Sequence, residues 1–397
     1  MANGNPNHSQ AAPARAIRAF VWDLADEGIH EVLDRLTQLG IDGIHLALAF
    51  HGGRFYCPHN RRHGMVHAPD GAVYFQPLLS CYESLRPRVH PEYGSGAFVA
   101  RVREAVHERN MALTAWVVLL NNLTLSTAYP HASGVNALGD RLEGALCPAN
   151  PDVRTYASAL VEDLAHRVGV DIIELEDFAY VPHFSYTGAR WVGIPIGPNL
   201  GYLLSLCFCP HCRHQAEEAN IEMGDLKYHV ERMIRQGLAG ALSDRRIGDE
   251  IADPYSLISR FAESRTETIT TLVDELNEAV AGSPAILQPM LSEQPDEIWR
   301  WGVELRALRQ RVRRATVPTS CAINATRACI ERYAEILELD RDLVADIKLR
   351  DLGGDHERPL AEMIEACESF GIDRFVFSHY GLARLDTLDL LGSFARR

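Results

Sequence analysis

The stretch IRAFVWDLADEGIHEVLDRLTQLGIDGIHLALAF, residues 17–50, contains the pattern that decides the fold. The apolar run Ile17–Leu24 predicts a β-strand, and GIHLALAF at Gly43–Phe50 predicts a second one. Between them, apolar residues recur at helical spacing and end at Gly40, which is a typical helix stop. The stretch is therefore a strand–helix–strand unit, and such a unit joins parallel strands.

The same alternation continues along the chain and predicts eight strand–helix pairs. The further strands are predicted at Ala112–Leu120, Asp171–Glu176, Ala285–Met290, Val317–Ile323, Val344–Leu349 and Arg374–Ser378. Helices are predicted from Ala97 to Arg109 and after the dipeptides Asn150-Pro151 and Asp253-Pro254, which resemble helix starts. Eight such units indicate the α/β class and a closed (β/α)8 TIM barrel. No glycine-rich phosphate loop follows the first strand, which argues against a dinucleotide-binding sheet.

Two connections are too long to be simple turns, and both follow the carboxyl end of a strand. One insertion, at about residues 51–95, follows the second strand, and the other, at about 177–252, follows the fourth. We expect residues 1–15 to be a disordered polar tail and residues 16–397 to form one barrel domain. Active sites of such barrels are built from the loops at this end.

Composition limits the classes of partner. The chain of 397 residues carries 39 Lys and Arg against 53 Asp and Glu, a net charge of −14, which argues against nucleic acid and against an anionic membrane surface. No apolar stretch predicts a membrane span or a secretory signal. Nine cysteines, an odd and sparse set, favour free thiols or metal ligands in a reducing cytoplasm. A small-molecule substrate is expected, and a homo-oligomer is left open.

Three cysteines are spaced as in a soft-metal site. Cys207, Cys209 and Cys212 form C-x-C-x-x-C, and a tetrahedral Zn²⁺ site needs one more Cys or His ligand. The fourth ligand could be His211, His214 or the more distant Cys147. Free surface thiols are the alternative interpretation.

The segments CPANPDVR, residues 147–154, and CFCPHC, residues 207–212, flank the fourth strand and its glutamates. This arrangement resembles the family 42 β-galactosidases, within the large clan of barrel glycosidases; the chain also resembles uncharacterised bacterial barrels of that type. The resemblance covers roughly residues 146–213. It implies a structural zinc held by Cys147, Cys207, Cys209 and Cys212, and an acid/base glutamate at the end of strand four.

The carboxylates of strand four are the first catalytic candidates. Side chains alternate along a strand, so Glu174 and Glu176 share the face that points into the barrel. Glu176 is nearer the open end, and by the resemblance it matches the acid/base glutamate. The family has Asn immediately before that glutamate, whereas this chain has Leu175.

Strand seven departs further from the family pattern. A retaining glycosidase needs a second carboxylate as nucleophile, which the clan places as a glutamate at the end of strand seven. Here the inward positions are Asp346, Lys348 and Arg350, with no glutamate, which argues against ordinary retaining hydrolysis. Lys348 could act as a Schiff-base nucleophile or general base, or could close an internal ion pair.

Polar residues at the strand ends predict a sugar-like binding pocket. The candidate substrate-binding residues are His51, Arg54, Tyr56, Asn121, Asp177, Gln288, Asn324, Arg350, His379 and Tyr380.

Three functional hypotheses follow from these candidates. The leading one is a glycosidase-like enzyme acting on a carbohydrate, with Glu176 as general acid/base and Glu174, Asp346 and Lys348 as further catalytic candidates. The alternatives are a non-hydrolytic lyase, isomerase or aldolase that uses Lys348, and an inactive sugar-binding barrel.

Overall fold

The computed structural model describes residues 13–181, 193–319, 322–337, 343–349 and 357–394. Eight parallel strands form the central sheet, in the order β5-β4-β3-β2-β1-β8-β7-β6. They are β1 Arg15–Phe20, β2 Gly43–Phe50, β3 Ala112–Val118, β4 Ile172–Glu176, β5 Ile286–Pro289, β6 Ala315–Pro318, β7 Leu343–Lys348 and β8 Arg374–Ser378. A bridge between Met290 and Thr316 joins the two edge strands and closes the ring. The predicted (β/α)8 barrel is confirmed.

The helices lie between the strands and in the insertions. They are α1 Val21–Glu27, α2 Ile29–Gln38, α3 Gly96–Glu108, α4 Leu123–Ala128, α5 Pro151–Glu162, α6 Pro198–Ser205, α7 Pro210–Glu218, α8 Met223–Leu238, α9 Asp244–Ile251, α10 Leu257–Val280, α11 Leu305–Arg309, α12 Ile323–Leu337, α13 Glu357–Glu368 and α14 Leu385–Phe394. A π-helical turn at Asp163–Val168 extends α5. Within the described part of the chain, no helix has both the length and the apolar character needed to cross a bilayer.

The strands form where apolar runs can be buried on both faces. Every residue of β2 is buried, because one face lines the barrel interior and the other meets helices. The bounds of β2 and β8 match the prediction.

Two predicted strands end four or more residues earlier than expected. The first strand was predicted to reach Leu24 but ends at Phe20, and α1 follows at once. The Asp23 carboxylate accepts a hydrogen bond from the Phe20 amide at 2.8 Å, which caps the start of α1. The sixth strand was predicted to reach Ile323 but ends at Pro318. The first error arises because Val21, Trp22 and Leu24 are buried in the helix as they would be in a strand.

The helix starts agree with their predicted signals to different degrees. Asn150 caps α5 by accepting from the Asp152 amide at 2.9 Å, with Pro151 in the first turn, as expected. The long helix predicted to open at Asp253-Pro254 begins instead at Leu257, capped by the Ser256 hydroxyl.

Three long connections lie at the carboxyl end of the barrel. The connection after β2 contains an antiparallel hairpin, Gly53–Tyr56 with Met65–Ala68. The connection after β4 carries α6 to α9. A third, which the sequence analysis did not single out, follows β3 and contains α4 and the hairpin Ser133–Val135 with Arg141–Leu146. The residues of the predicted tail lie mostly outside the described residues, and β1 begins at Arg15.

Candidate functional site

Glu176 is the last residue of β4 and lies at the open end of the barrel. Its Oε2 accepts a hydrogen bond from the indole Nε1 of Trp116, on the neighbouring β3, at 2.8 Å. Burial and the nearby charge of Asp177 raise the pKa of Glu176, although His51, Arg18 and the Trp116 hydrogen bond oppose the rise. A carboxyl group with a raised pKa is suited to act as a general acid.

Asp177 follows directly and leaves the strand conformation. Its φ of +48° lies in the left-handed region, which a non-glycine residue adopts at some energetic cost and which recurs at functional sites. Its Oδ2 accepts from the Asn121 side-chain amide at 2.9 Å. Burial raises the pKa of Asp177, against the Asn121 hydrogen bond and the charge of His51. The carboxyls of Asp177 and Glu176 both interact with His51, so the turn places two acidic groups on one side of the opening.

An aromatic wall stands beside these carboxyls. It is formed by Phe20, Phe50, Trp116 and His379, from the ends of four neighbouring strands. The Trp116 ring centroid lies 4.5 Å from Phe50, 5.3 Å from His379 and 5.8 Å from Phe20. Phe20, Phe50 and Trp116 are buried against one another, and His379 is the partly exposed ring of the wall.

Below the opening, the barrel interior holds an ion network around Arg18. Its guanidinium group lies 2.8 Å from both the Glu174 and the Asp346 carboxylates. Ser378 bonds both Arg18 and Asp346, at 2.7 and 2.6 Å. All four residues are buried. Arg18 was not among the predicted site residues.

Two of the predicted catalytic carboxylates, Glu174 and Asp346, belong to this ion network. Glu174 also accepts from the Thr316 hydroxyl at 2.6 Å and contacts His45 Nδ1 at 2.9 Å. Burial alone would raise the pKa of Glu174, but Arg18 and His45 outweigh it and hold that pKa well below its usual range. Glu174 and Asp346 are therefore buried in an ion network below the opening. Gln288, predicted to bind substrate, donates to the Thr316 hydroxyl at 2.9 Å in the same network.

Lys348 differs from the buried lysine that the sequence suggested. Its Nζ pairs with the Glu293 carboxylate at 2.8 Å, and the two side chains are 29% and 55% exposed. A solvent-screened ion pair does not provide the dry pocket that activates a Schiff-base lysine. The Lys348-based alternative is not favoured.

The remaining predicted binding residues fall into three groups. His51, Asn121, Asp177 and His379 lie around the opening, as described above. Arg54 and Tyr56 lie on the exposed face of the hairpin after β2, and Tyr56 is 76% exposed. Tyr380 is buried, and its hydroxyl donates to Glu27 at 3.0 Å.

Two predicted residues are not in the site that the structure describes. Asn324 was expected to end strand six, but it is exposed near the start of α12, because the strand ends at Pro318. Arg350 lies outside the described residues.

Four cysteines form a separate, buried cluster. The Cys147 sulfur lies 3.4, 3.5 and 3.8 Å from those of Cys212, Cys209 and Cys207. All four ligand atoms lie within 4.8 Å of one another. A tetrahedral Zn²⁺ with Zn–S bonds of about 2.3 Å separates its sulfurs by about 3.8 Å. The cluster therefore fits a four-coordinate soft metal ion and leaves no open position for a reacting water.

The cysteine cluster is linked to the carboxyl pair by a short segment. Tyr180, three positions after Asp177, places its hydroxyl 3.6 Å from the Cys212 sulfur. The Arg265 guanidinium lies 4.1 Å from the centroid of the Tyr180 ring. The cluster thus fixes the segment that leaves β4.

Another buried polar cluster joins α1 to the insertion after β2. His59 contacts Glu27 at 3.0 Å through Nδ1, and its Nε2 lies 3.0 Å from the Tyr380 carbonyl. Asp26 accepts from the Asn60 amide at 3.0 Å. These contacts hold the insertion against the barrel. None of these contacts was predicted from the sequence.

Comparisons with known proteins support the fold. The glycoside hydrolase domain of PgaB (BpsB) from Bordetella bronchiseptica is similar, with a TM-score of 0.58 and 14% identity over 96% of this chain and 98% of that one. β-Galactosidases from Marinomonas ef1 and Bacillus circulans sp. alkalophilus have TM-scores of 0.55 and 0.54 at 10% and 12% identity. This chain spans 59% and 55% of their lengths.

Searches against protein-family models and against curated proteins give no match. The chain therefore has the barrel fold of these glycoside hydrolases, while membership of family 42 is not confirmed.

Proposed function

We propose that this protein is a glycoside-hydrolase-like enzyme that acts on a carbohydrate, with Glu176 as its general acid/base. The observation that carries the proposal is the position of Glu176: a carboxyl with a raised pKa, at the open end of the barrel, fixed by Trp116 beside an aromatic wall. Glycoside cleavage needs a positioned acid to protonate the leaving oxygen. The barrel fold shared with glycoside hydrolases agrees with this role.

The other residues of the opening have supporting roles in this proposal. His379, the partly exposed ring of the aromatic wall, would pack against the apolar face of a sugar ring, and Asn121 would hold Asp177 in place. His51, near both carboxyls, would bind a sugar hydroxyl. Arg54 and Tyr56 lie on the exposed hairpin face and would contact only more distant parts of a substrate.

We also propose that Cys147, Cys207, Cys209 and Cys212 hold a structural Zn²⁺. The ion would tie α7 to the segment before α5 and would keep the end of β4 in place through Tyr180. Four thiolates would complete its coordination, so the ion would not take part in the reaction.

The test of Glu176 compares Glu176→Gln with the wild type on aryl glycosides and oligosaccharides. We expect kcat to fall by about 10²- to 10⁴-fold while sugar binding is retained, because general acid catalysis contributes that much. The loss should be smaller for dinitrophenyl glycosides, whose leaving groups need no proton.

The matched control is Glu293→Gln, which neutralises a carboxylate that pairs with Lys348 and is not part of the acid pair. It should leave kcat within about twofold of the wild type. Equal losses in the two variants, or a loss independent of the leaving group, would refute the assignment of Glu176.

A further inference from the structure

Arg265, in the middle of α10, is a buried arginine that forms no ion pair with any carboxylate of the described residues. Its side chain is 1% exposed. Its Nη1 donates to the Arg300 carbonyl at 2.8 Å, whereas Nε and Nη2 have no hydrogen-bond partner. A buried charge is costly unless an opposite charge lies near it. The position of Arg265 therefore indicates a negative group in its surroundings.

The guanidinium group lies on the face of an aromatic ring. Its central carbon is 4.1 Å from the centroid of the Tyr180 ring. Such a contact attracts a cation without neutralising its charge. The nearby Arg300, in contrast, pairs with the carboxylate of Glu297.

The other end of the Tyr180 side chain reaches the cysteine cluster. Its hydroxyl lies 3.6 Å from the Cys212 sulfur. One turn beyond Arg265 on α10, the Thr268 hydroxyl donates to the Gln215 side chain of α7 at 2.7 Å. The helix that carries Arg265 is thus held against the helix that carries Cys212, with Tyr180 between the cation and the sulfur.

The cysteine cluster would carry the missing negative charge when a metal is bound. A Zn²⁺ ion with four thiolates has a net charge of about −2. The Val135 amide donates to the Cys207 sulfur at 3.4 Å, and the Cys212 amide donates to the Cys209 sulfur at 3.5 Å. Cys209 also caps the amino end of α7, where the helix dipole favours negative charge. These groups supply partial positive charges, and Arg265 supplies a full one.

We propose that Arg265 is the counter-cation of a zinc–thiolate centre at Cys147, Cys207, Cys209 and Cys212. It acts through Tyr180, whose hydroxyl donates to the Cys212 thiolate, and it is a positioning residue that does not bind the ion itself. The inference rests on the proposed zinc site and names the residues that set its affinity for the metal.

The charge of Arg265 affects the metal-loaded and metal-free forms differently. With zinc bound, the guanidinium group stabilises a negative centre. Without zinc, the cluster lacks that charge, and Arg265 is a buried cation with no partner among the described residues. Removing the charge should therefore weaken metal binding more than it weakens the metal-free fold.

The experiment measures the zinc Kd of the intact Arg265→Met protein by competition with a chromophoric chelator. We expect the Kd to rise by about 10- to 100-fold, which is typical when a partner of the metal ligands is removed. Urea unfolding is then compared with and without zinc. The midpoint should fall more in the zinc-loaded protein than in the metal-free protein.

The matched control is Arg300→Met. Arg300 also lies over an aromatic ring, with its guanidinium carbon 5.4 Å from the centroid of Tyr202, but it has its own carboxylate partner. The substitution keeps the Arg300 carbonyl that accepts from Arg265. It should leave the zinc Kd unchanged.

A second variant tests the contact with the sulfur directly. Tyr180→Phe keeps the ring beneath Arg265 and removes only the hydroxyl near Cys212. With Co²⁺ in place of zinc, the thiolate-to-metal charge-transfer band should move to lower energy, because a thiolate without that hydrogen bond gives up an electron more readily. Arg265→Met should move the band in the same direction, and Arg300→Met should not move it.

The outcomes separate this inference from the zinc site on which it rests. An unchanged zinc Kd in Arg265→Met, an equal rise in Arg300→Met, or equal destabilisation with and without zinc would overturn the role of Arg265 and leave the zinc site intact. If Arg265→Met does not fold, an unmoved cobalt band in Tyr180→Phe would overturn it. A wild type that binds neither zinc nor cobalt would overturn both, whereas the role of Glu176 is tested separately by its leaving-group dependence.

Discussion

Replacing Arg18 with methionine is expected to lower the free energy of unfolding by several kcal/mol, because it removes the cation of a buried ion network. Arg18 is 1% exposed and bridges Glu174 and Asp346, with nitrogen–oxygen distances of 2.8 Å to each. Methionine fills a similar volume but leaves two carboxylates without their cation. Removing one partner of a buried ion pair costs about 3–5 kcal/mol.

The decrease in the free energy of unfolding caused by Arg18→Met should lie at or above the upper end of that range, because one guanidinium group pairs with two carboxylates. The control is Arg35→Met, which breaks the Arg35–Asp389 pair of equal length, 2.8 Å, between side chains that are 30% and 65% exposed. Such surface pairs contribute about 1 kcal/mol or less. The two variants thus compare the loss of a buried arginine–carboxylate ion pair with the loss of an exposed one.

The assay is urea unfolding followed by tryptophan fluorescence, repeated between pH 7 and pH 3. The pKa of Glu174 is lowered in the folded chain, so its contribution is present above the ordinary 4.5 and is lost as the pH falls below that value. In Arg18→Met the unpaired carboxyls prefer to be protonated, so the difference from the wild type should shrink toward pH 3. Combining Arg18→Met with Glu174→Gln and Asp346→Asn should recover part of the loss.

The reasoning would be wrong if Arg18→Met lost no more than Arg35→Met at pH 7. It would also be wrong if the loss at Arg18 were the same at pH 3 as at pH 7.

Three further predictions concern the metal, the pH dependence of stability and the acid group. We expect elemental analysis to find zinc in the wild type, and Cys209→Ser should abolish it and lower the urea midpoint, whereas Cys329→Ser, which changes a buried free thiol of α12, should retain the metal. A wild type that is stable without any metal would contradict this prediction. Burial raises the pKa of Asp23 from 3.8 to about 7, so the free energy of unfolding should fall by up to about 4 kcal/mol as the pH rises from about 4 to 7. In pH-dependent urea unfolding, Asp23→Asn should flatten that fall, and an unchanged slope would count against this assignment. Trp116→Phe removes the indole donor that stabilises the ionised form of Glu176, so the alkaline limb of the kcat–pH profile should move upward by about one pH unit. A downward shift would show that the indole does not favour ionised Glu176.

The alternation of apolar runs predicted the fold because each strand of a parallel barrel is buried on both faces. The Gly43–Phe50 and Arg374–Ser378 strands match the structure at both ends. The first strand was predicted too long, because hydrophobicity does not separate a buried strand from the buried helix Val21–Glu27 that follows it. The Asp23 side chain made the difference, through one hydrogen bond to the Phe20 amide.

Part of the missed interior was readable in principle. The period-two rule that placed Glu174 in the barrel also applies to the first strand, where Arg18 lies between Ile17 and Ala19. An ion network is predicted when one strand carries an arginine at an inward position and two other strands carry carboxylates at inward positions. The choice of partners still depends on register, which the sequence pattern does not provide.

By itself, then, the sequence determined the alternation that makes a barrel, several of the residues at the carboxyl ends of its strands, and the cysteine spacing of a soft-metal site. Only the tertiary structure decided which partners the two strand-four glutamates meet. Glu174 meets Arg18, 156 residues away in the chain, while Glu176 meets Trp116 and a left-handed turn at Asp177. These differences arise because charge partners and backbone turns are set by contacts between distant segments, whereas apolar periodicity is set locally along each strand and helix.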